Sequence, residues 1–426
     1  MKKMYYETID DVKKEGKYYT PLHIAQLLIK EILKIKESSR KVADVCMGDG
    51  RFLTEYHYHD KYAKVFGIDK DYEIIQYNIN NNPIFSDENV KNIDCKCNYE
   101  KYDCIITNPP FTKNKEHIKI LEHILKNNLG QDGTLGIILP EALFHAPSYK
   151  KIRQESFFNK TINTIIDLPH DSFKPYNNAK CIIIILTNCR CTDKKHKVKL
   201  LYGGNERYVK QSILYNEDIL IPRYYHHSKK SYYSKSVTLK SLIDDDVVMT
   251  WKGQGSPKSE YKGKGTVPYV RVKDIVNNEI YINKLDCIPS SVADDYDTSK
   301  IKETDIIMVT RGSYRIGDVG QVHKKDEKSI YTRELQFFRV KEPNDYNLTN
   351  HNLFMIMSSD DFHEQYESLI FIDTTLPTLN NRYEKLEIPL YDSETMACLH
   401  EKGKELFNLR KEYWRKYEQH TECQIV

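Results

Sequence analysis

The sequence predicts an α/β protein: a doubly wound, Rossmann-like sheet, then a smaller α+β domain and a terminal helix. Short apolar runs alternate with helix-compatible stretches over about the first 190 residues. Several of those runs end abruptly in glycines, a carboxylate or a proline pair, as strands do where they open into loops. From about residue 223 the texture changes to a polar, aromatic stretch and then to brief apolar runs separated by Gly and Pro.

Residues 21–36 carry apolar side chains at helical spacing behind Thr20 as N-cap, with Pro21 in the first turn. Val42–Cys46 is a buried strand that breaks into Met47-Gly48-Asp49-Gly50-Arg51-Phe52-Leu53 and a second helix. Lys64–Asp69 reads as a strand ending on a carboxylate, and Tyr102–Thr107 as another, running into Asn108-Pro109-Pro110-Phe111. A helix over 115–128 leads to Gly133–Pro140, and Ile162–Leu168 and Cys181–Leu186 add two strands. Arg223–Tyr233 has no periodicity and reads as a linker or domain rim. Val267–Val272, Ile306–Thr310 and Leu335–Val340 are strand-like, and a charged helix is expected from 393 to 420.

The composition fits a folded globular chain of two or three domains: 426 residues, 40% hydrophobic and 29% charged. Disorder, collagen and small disulfide scaffolds are excluded. No stretch approaches the roughly 18 to 20 apolar residues of a membrane span, and Met1-Lys2-Lys3-Met4-Tyr5-Tyr6-Glu7 has no signal-peptide core, so a cytoplasmic protein without membrane partners is expected. Ten cysteines are scattered; Cys95/Cys97 and Cys189/Cys191 lack the gap of a zinc knuckle, and no metal is expected.

Chemistry concentrates in three places. The glycines at 48 and 50, between a strand and a helix, let backbone approach a ligand facing the helix N-terminus. Asp69, at the end of the next strand, stands where doubly wound folds put the carboxylate that holds ribose hydroxyls. After a third strand, Pro109 and Pro110 hold the backbone of Asn108 extended. The Asn108 side-chain oxygen and Pro109 carbonyl then form two acceptors suited to one NH2 group, and Phe111 offers a face for a planar base. Such stacking is worth roughly 1 to 3 kcal/mol per base.

With these residues the chain resembles the S-adenosylmethionine-dependent DNA methyltransferases that modify adenine N6, in the group whose cofactor motif precedes the catalytic one. Gly16-Lys17-Tyr18-Tyr19-Thr20-Pro21 is similar to that group's N-terminal cofactor motif, and Asp44–Phe52 to its glycine-rich motif, with Val45 where the family often has Pro. The resemblance implies cofactor contacts from Tyr19, Thr20, Pro21, Asp44, Met47, Gly48, Gly50, Phe52, Asp69, Asp94 and Asn108. It also implies catalytic roles for Asn108, Pro109 and Phe111. Leu168-Pro169-His170-Asp171-Ser172-Phe173-Lys174-Pro175 resembles the motif whose aromatic contacts a flipped-out base, a role that falls to Phe173. His145, His170, His226 and His227 read as surface or structural residues.

Residues 237–390 resemble a target-recognition domain of type I restriction-modification specificity subunits. The matching pieces are Gly255-Ser256-Pro257, Val267–Ile275, Asp305–Gly317 and Thr374–Leu379 leading into Leu386–Leu390. The implied organisation is a catalytic domain over 1–222, a linker over 223–236, recognition over 237–390 and a helix over 391–426. Lys252, Arg271, Lys273, Arg311 and Arg315 become candidates for phosphate or base contacts with double-stranded DNA. In the helix, Met396, Leu399, Gly403, Leu406, Leu409, Tyr413 and Tyr417 form an apolar stripe for the catalytic domain or a second copy of the chain. A restriction subunit is another implied partner.

Charge agrees with a nucleic-acid partner only when mapped. The total is +3, from 64 Lys and Arg against 61 Asp and Glu. Residues 194–273 hold 17 Lys and Arg against 7 Asp and Glu, with Tyr224, Tyr225, Tyr232 and Tyr233 interleaved, so a duplex is expected along this zone. Alternatives remain: an N-methyltransferase for RNA or a protein glutamine, a cytosine-N4 enzyme, or a non-catalytic DNA-binding specificity protein. Asn at position 108 in place of Ser favours adenine over cytosine. A fused nuclease is not expected.

Overall fold

The computed structural model describes residues 19–112, 114–173, 179–227, 233–281, 286–312, 315–372 and 376–423. Gly16 to Tyr18, Lys174, Pro175, Tyr232, Ser313, Tyr314, Thr374 and Thr375 of the motifs and zones above lie outside the described residues. The chain divides into two compact units, residues 1–226 with 372–375, and the remainder.

The first unit is built on a nine-stranded sheet. Its strands are β1 (Lys41–Asp44), β2 (Lys64–Asp69), β3 (Val90–Asn92), β4 (Tyr102–Thr107), β5 (Leu129–Pro140), β6 (Thr161–Asp167), β7 (Cys181–Thr187), β8 (Lys197–Tyr202) and β9 (Asn205–Lys210). Their order is β3-β2-β1-β4-β5-β7-β6-β8-β9. From β3 to β5 every pairing is parallel; β7 runs antiparallel between β5 and β6. The central strands are apolar almost throughout, as both-face burial requires, and β7 is buried from Cys181 to Leu186.

Helix α1 (Leu22–Ile35) presents Ile24, Ala25, Leu28, Ile29 and Ile32 to an apolar cluster that also holds Phe52, Leu53 and Tyr56 of α2 (Arg51–His59). Gly136 marks how closely α1 lies on β5. A Cβ there would stand 2.7 Å from the Ile32 side chain and 2.8 Å from Leu28. The helix begins one residue later than expected: Pro21 is its N-cap residue, and no side chain caps it. The Thr20 hydroxyl is instead used by Asn108. The helix expected over 115–128 is α-helical only from Glu116 to His123 and closes in a π-turn over Ile124–Asn128.

In the second unit, β10 (Ser236–Thr238) leads into α3 (Leu239–Asp244) and β11 (Val248–Lys252). Together with β12 (Ile306–Val309), β13 (Val319–Gln321) and β14 (Leu335–Val340), β11 forms an antiparallel sheet in the order β11-β14-β12-β13. The expected strand over 267–272 is reduced to Tyr269–Val270. The terminal helix α4 (Ser393–Cys423) packs on its own unit: Met396 and Phe407 are buried, Phe407 stacks on His323 at 4.4 Å, and Arg410 Nε pairs with Glu279 at 2.8 Å. This corrects the expected stripe. Only Met396 and Gly403 of its members are buried, while Leu409, Tyr413 and Tyr417 are exposed, because the packed face advances through 396, 403, 407 and 410. No helix among the described residues is long and apolar enough to cross a membrane.

Candidate active site

Carboxyl ends of parallel strands carry the site, at the point where the order reverses between β1 and β4, which is where open α/β sheets bind ligands. The loop after β1 turns through Gly48 at φ 50° and Gly50 at φ 71°, backbone states that disfavour any side chain. A Cβ on Gly50 would stand 2.6 Å from the Phe85 ring. Gly50→Ala is therefore expected to cost about 1–3 kcal/mol of stability and to weaken cofactor affinity about tenfold or more, read by thermal melting and ligand titration.

Asp69 closes the loop from the next strand. Its Oδ2 accepts the Gly48 amide at 3.0 Å and its Oδ1 the Asp71 amide at 3.0 Å. Asn78 Nδ2 donates to the Gly48 carbonyl at 2.7 Å. Met47 and Phe52 are buried, and Met47 packs on the bare Gly67, where a Cβ would meet its sulfur. Asp94 sits just past β3, where its side chain caps a short turn by accepting the Lys96 amide at 2.9 Å.

Asp44 is wholly buried, with its Oδ1 accepting the Cys46 amide at 3.1 Å and its Oδ2 lacking a hydrogen-bond partner. Burial pushes its carboxyl up to about 7, aided by the charges of Asp69 and Asp49.

Three distant pieces converge on Thr20. The Tyr19 ring lies 3.4 Å from where a Gly48 Cβ would be, so the N-terminal segment covers the glycine loop. Arg51, which forks onto Asp49, donates to the Thr20 carbonyl. Asn108 Nδ2 donates to the Thr20 hydroxyl at 3.1 Å. That leaves Asn108 Oδ1 buried and without a hydrogen-bond partner. A buried carbonyl oxygen left unpaired is costly unless something arrives to use it.

Phe111 is partly buried against the apolar cluster and meets His117 edge to face at 5.7 Å. Burial pushes His117 down to about 4, so its ring is neutral at pH 7. Phe173 is only 3% exposed and belongs to the same cluster. Asp49, Arg51, Asn78 and His117 were not singled out from sequence. Arg51 lay inside the glycine-rich motif, but its tie to Thr20 spans 31 residues and has no local signature.

One sequence expectation about DNA contacts changes. Tyr224 and Tyr225 are buried, with Tyr225 donating its hydroxyl to the Ile219 carbonyl at 2.8 Å, so they present no aromatic face to a duplex. In the second unit Arg271 and Lys273 both pair with Asp286 at 2.5 Å, and Arg315 donates to the Ile275 carbonyl at 2.7 Å. Lys252 and Arg311 are exposed.

The sequence model of the N-6 DNA methylase family matches residues 4–262. No curated protein matches the chain. Among solved structures, the type IIG restriction endonuclease BpuSI is 13% identical with a TM-score of 0.47, covering 92% of this chain and 61% of its own. A modification subunit of a putative type I restriction enzyme from Vibrio vulnificus YJ016 is 16% identical, with a TM-score of 0.36, covering 47% of this chain and 51% of its own. The type I restriction-modification methyltransferase subunit from Streptococcus thermophilus is 20% identical, with a TM-score of 0.38, covering 49% and 55%. The chain thus spans less than two thirds of the length of each of these proteins. The family match takes in more than half of the chain, including every residue described above around the glycine loop and Asn108, and the chain belongs to the N-6 DNA methylase family.

Proposed function

We propose that the chain is a site-specific DNA methyltransferase that moves a methyl group from S-adenosylmethionine to N6 of an adenine flipped out of double-stranded DNA. It would act within a restriction-modification system, the setting named for the Streptococcus thermophilus subunit, or as an orphan methylase. The observation that carries the reading is the buried, unpaired Asn108 carbonyl oxygen, held on a Pro-Pro segment beside the glycine loop.

The residues fit the family's cofactor. Gly48 and Gly50 leave backbone bare, Asp69 offers a carboxylate to ribose, Asp94 lies past the neighbouring strand, and Tyr19 to Pro21 flank the loop. When bound, S-adenosylmethionine supplies an electrophilic methyl on a sulfonium centre. Asn108 Oδ1 and the Pro109 carbonyl would accept the two hydrogens of the adenine amine and turn its lone pair out of conjugation. Phe111, with Phe173 across the base, would fix the ring plane. Most of the acceleration is then positioning and electrostatics. A prior general base is unnecessary, because the amine becomes acidic only after methyl transfer.

The second unit would read the target sequence, with the exposed Lys252 and Arg311 first for phosphate or guanine and Arg271, Lys273 and Arg315 released from their acceptors only on binding. Incubation with labelled S-adenosylmethionine and duplex DNA, followed by nucleoside analysis, is expected to yield N6-methyladenine. Label confined to RNA or to a protein glutamine would sink the reading. Sequencing of the modified DNA then identifies the site.

A further inference from the structure

A buried cluster of four charged side chains lies outside the residues assigned to transfer. Glu141 follows β5, Asp167 ends β6, Lys180 precedes β7, and Arg223 belongs to the helix Pro222–His227. Arg223 Nη1 donates to Glu141 Oε2 at 3.0 Å and to Asp167 Oδ2 at 2.8 Å; its Nη2 donates to Glu141 Oε1 at 2.5 Å. Lys180 Nζ pairs with Asp167 Oδ1 at 2.7 Å. The two carboxylates are 0% exposed, Arg223 9% and Lys180 10%.

Among the described residues two cations and two carboxylates balance, yet a buried ion cluster is a poor device for stability: apolar side chains of like volume would serve as well. Its placement points elsewhere. Asp167 directly precedes the Leu168–Phe173 stretch, and its ion pair with Lys180 ties the end of β6 to the start of β7. The Glu141 amide also donates to the Lys180 carbonyl at 2.9 Å, and the Leu168 amide to the Cys181 carbonyl at 3.3 Å. Glu141 itself is held in a fixed stretch, because the buried Arg153 donates to the carbonyls of Leu143 and Ala146 at 3.0 and 2.9 Å.

We infer that Arg223, through Glu141, Asp167 and Lys180, is a positioning residue that clamps the start of the Leu168–Phe173 stretch and so sets where Phe173 meets the target base. This rests on the methyltransferase reading above. Removing the clamp would let the segment drift by the small amount that costs catalysis while leaving the glycine loop intact.

The test uses the full chain with Arg223→Lys, Arg223→Met and the neutral quadruple variant Glu141→Gln/Asp167→Asn/Lys180→Met/Arg223→Met, the last avoiding orphaned buried charge. Hydrogen exchange of the amides of 168 and 170–173 is expected to quicken at least tenfold in Arg223→Met and the quadruple variant, less in Arg223→Lys, with amides 45–52 unchanged. Single-turnover methyl transfer should fall at least tenfold with S-adenosylmethionine affinity unaltered, and Arg223→Lys should recover part of the rate. Unchanged exchange at 168–173 in folded variants overturns the clamp. Faster exchange with an unaltered transfer rate overturns its catalytic role. Should the unsubstituted chain methylate no adenine in DNA while exchange still responds, the function proposed above fails and the clamp stands.

Discussion

Asn108→Ala is expected to lower methyl transfer by about a thousandfold or more while S-adenosylmethionine affinity changes by only a few-fold. Loss of one preorganised hydrogen-bonding group at a reacting centre typically costs roughly 10²–10³ in rate. In the proposed mechanism the same side chain would also orient the amine, so misplacement would add to the loss. The Asn108 amide is the donor that reaches Thr20 at 3.1 Å, and its oxygen is buried and unpartnered. Truncation therefore removes the acceptor and leaves the Thr20 hydroxyl without that donor. Thr20→Val isolates the second effect and is expected to cost about tenfold, with the Asn108 oxygen still present but less firmly aimed. Single-turnover transfer and calorimetric cofactor titration check both. An Asn108→Ala variant that still turns over at the original rate would remove this residue from its role.

Asp44→Asn is expected to change the pH dependence of both folding and cofactor binding. Burial raises the Asp44 carboxyl from 3.8 to about 7. Between those values the folded chain holds a proton that the unfolded chain has lost. The contribution to stability is therefore fully present below pH ~4, declines as pH rises toward 7, and levels off above it. Each tenfold change in proton affinity is worth about 1.36 kcal/mol, so the loss across that window is on the order of 4 kcal/mol. Thermal melting of the Asn variant should lack this decline, so its stability relative to the parent chain rises from pH 4 to 7. Binding a cation favours the ionised carboxylate, so S-adenosylmethionine affinity should strengthen from pH 6 to 8 in the parent and stay flat in the variant. Parallel pH profiles for the two proteins would refute the assignment of a raised Asp44.

Local patterns made much of the first unit readable. The runs at 42–46, 64–69, 102–107 and 181–186 are apolar over the length of a strand, and burial on both faces leaves little else for such runs to become. Gly48, Gly50 and the Asn108-Pro109-Pro110 segment declare themselves because each restricts backbone states within a few residues. The last two strands at one side of the sheet, β8 and the edge strand β9, were missed for the converse reason: Lys197–Tyr202 and Asn205–Lys210 are partly exposed and mix charge with apolar side chains. In α4 the seven-residue stripe was visible, but helical spacing allows two neighbouring faces, and contact with His323 and Glu279 selected the one through Phe407 and Arg410.

The sequence by itself marked the residues proposed to bind a nucleotide-like cofactor and an amine, because that reading depends on residue type and on short-range backbone limits. Folding chose their partners. Thr20 and Asn108 are 88 residues apart, Gly48 and Asp69 are 21 apart, and Arg223 reaches Glu141 across 82 and Asp167 across 56. Such pairings follow from the strand order, with β1 beside β4 and β7 turned antiparallel between β5 and β6. No local period encodes that order. It emerges from burying all of the apolar strands in one sheet, which then fixes which loops meet at its carboxyl edge.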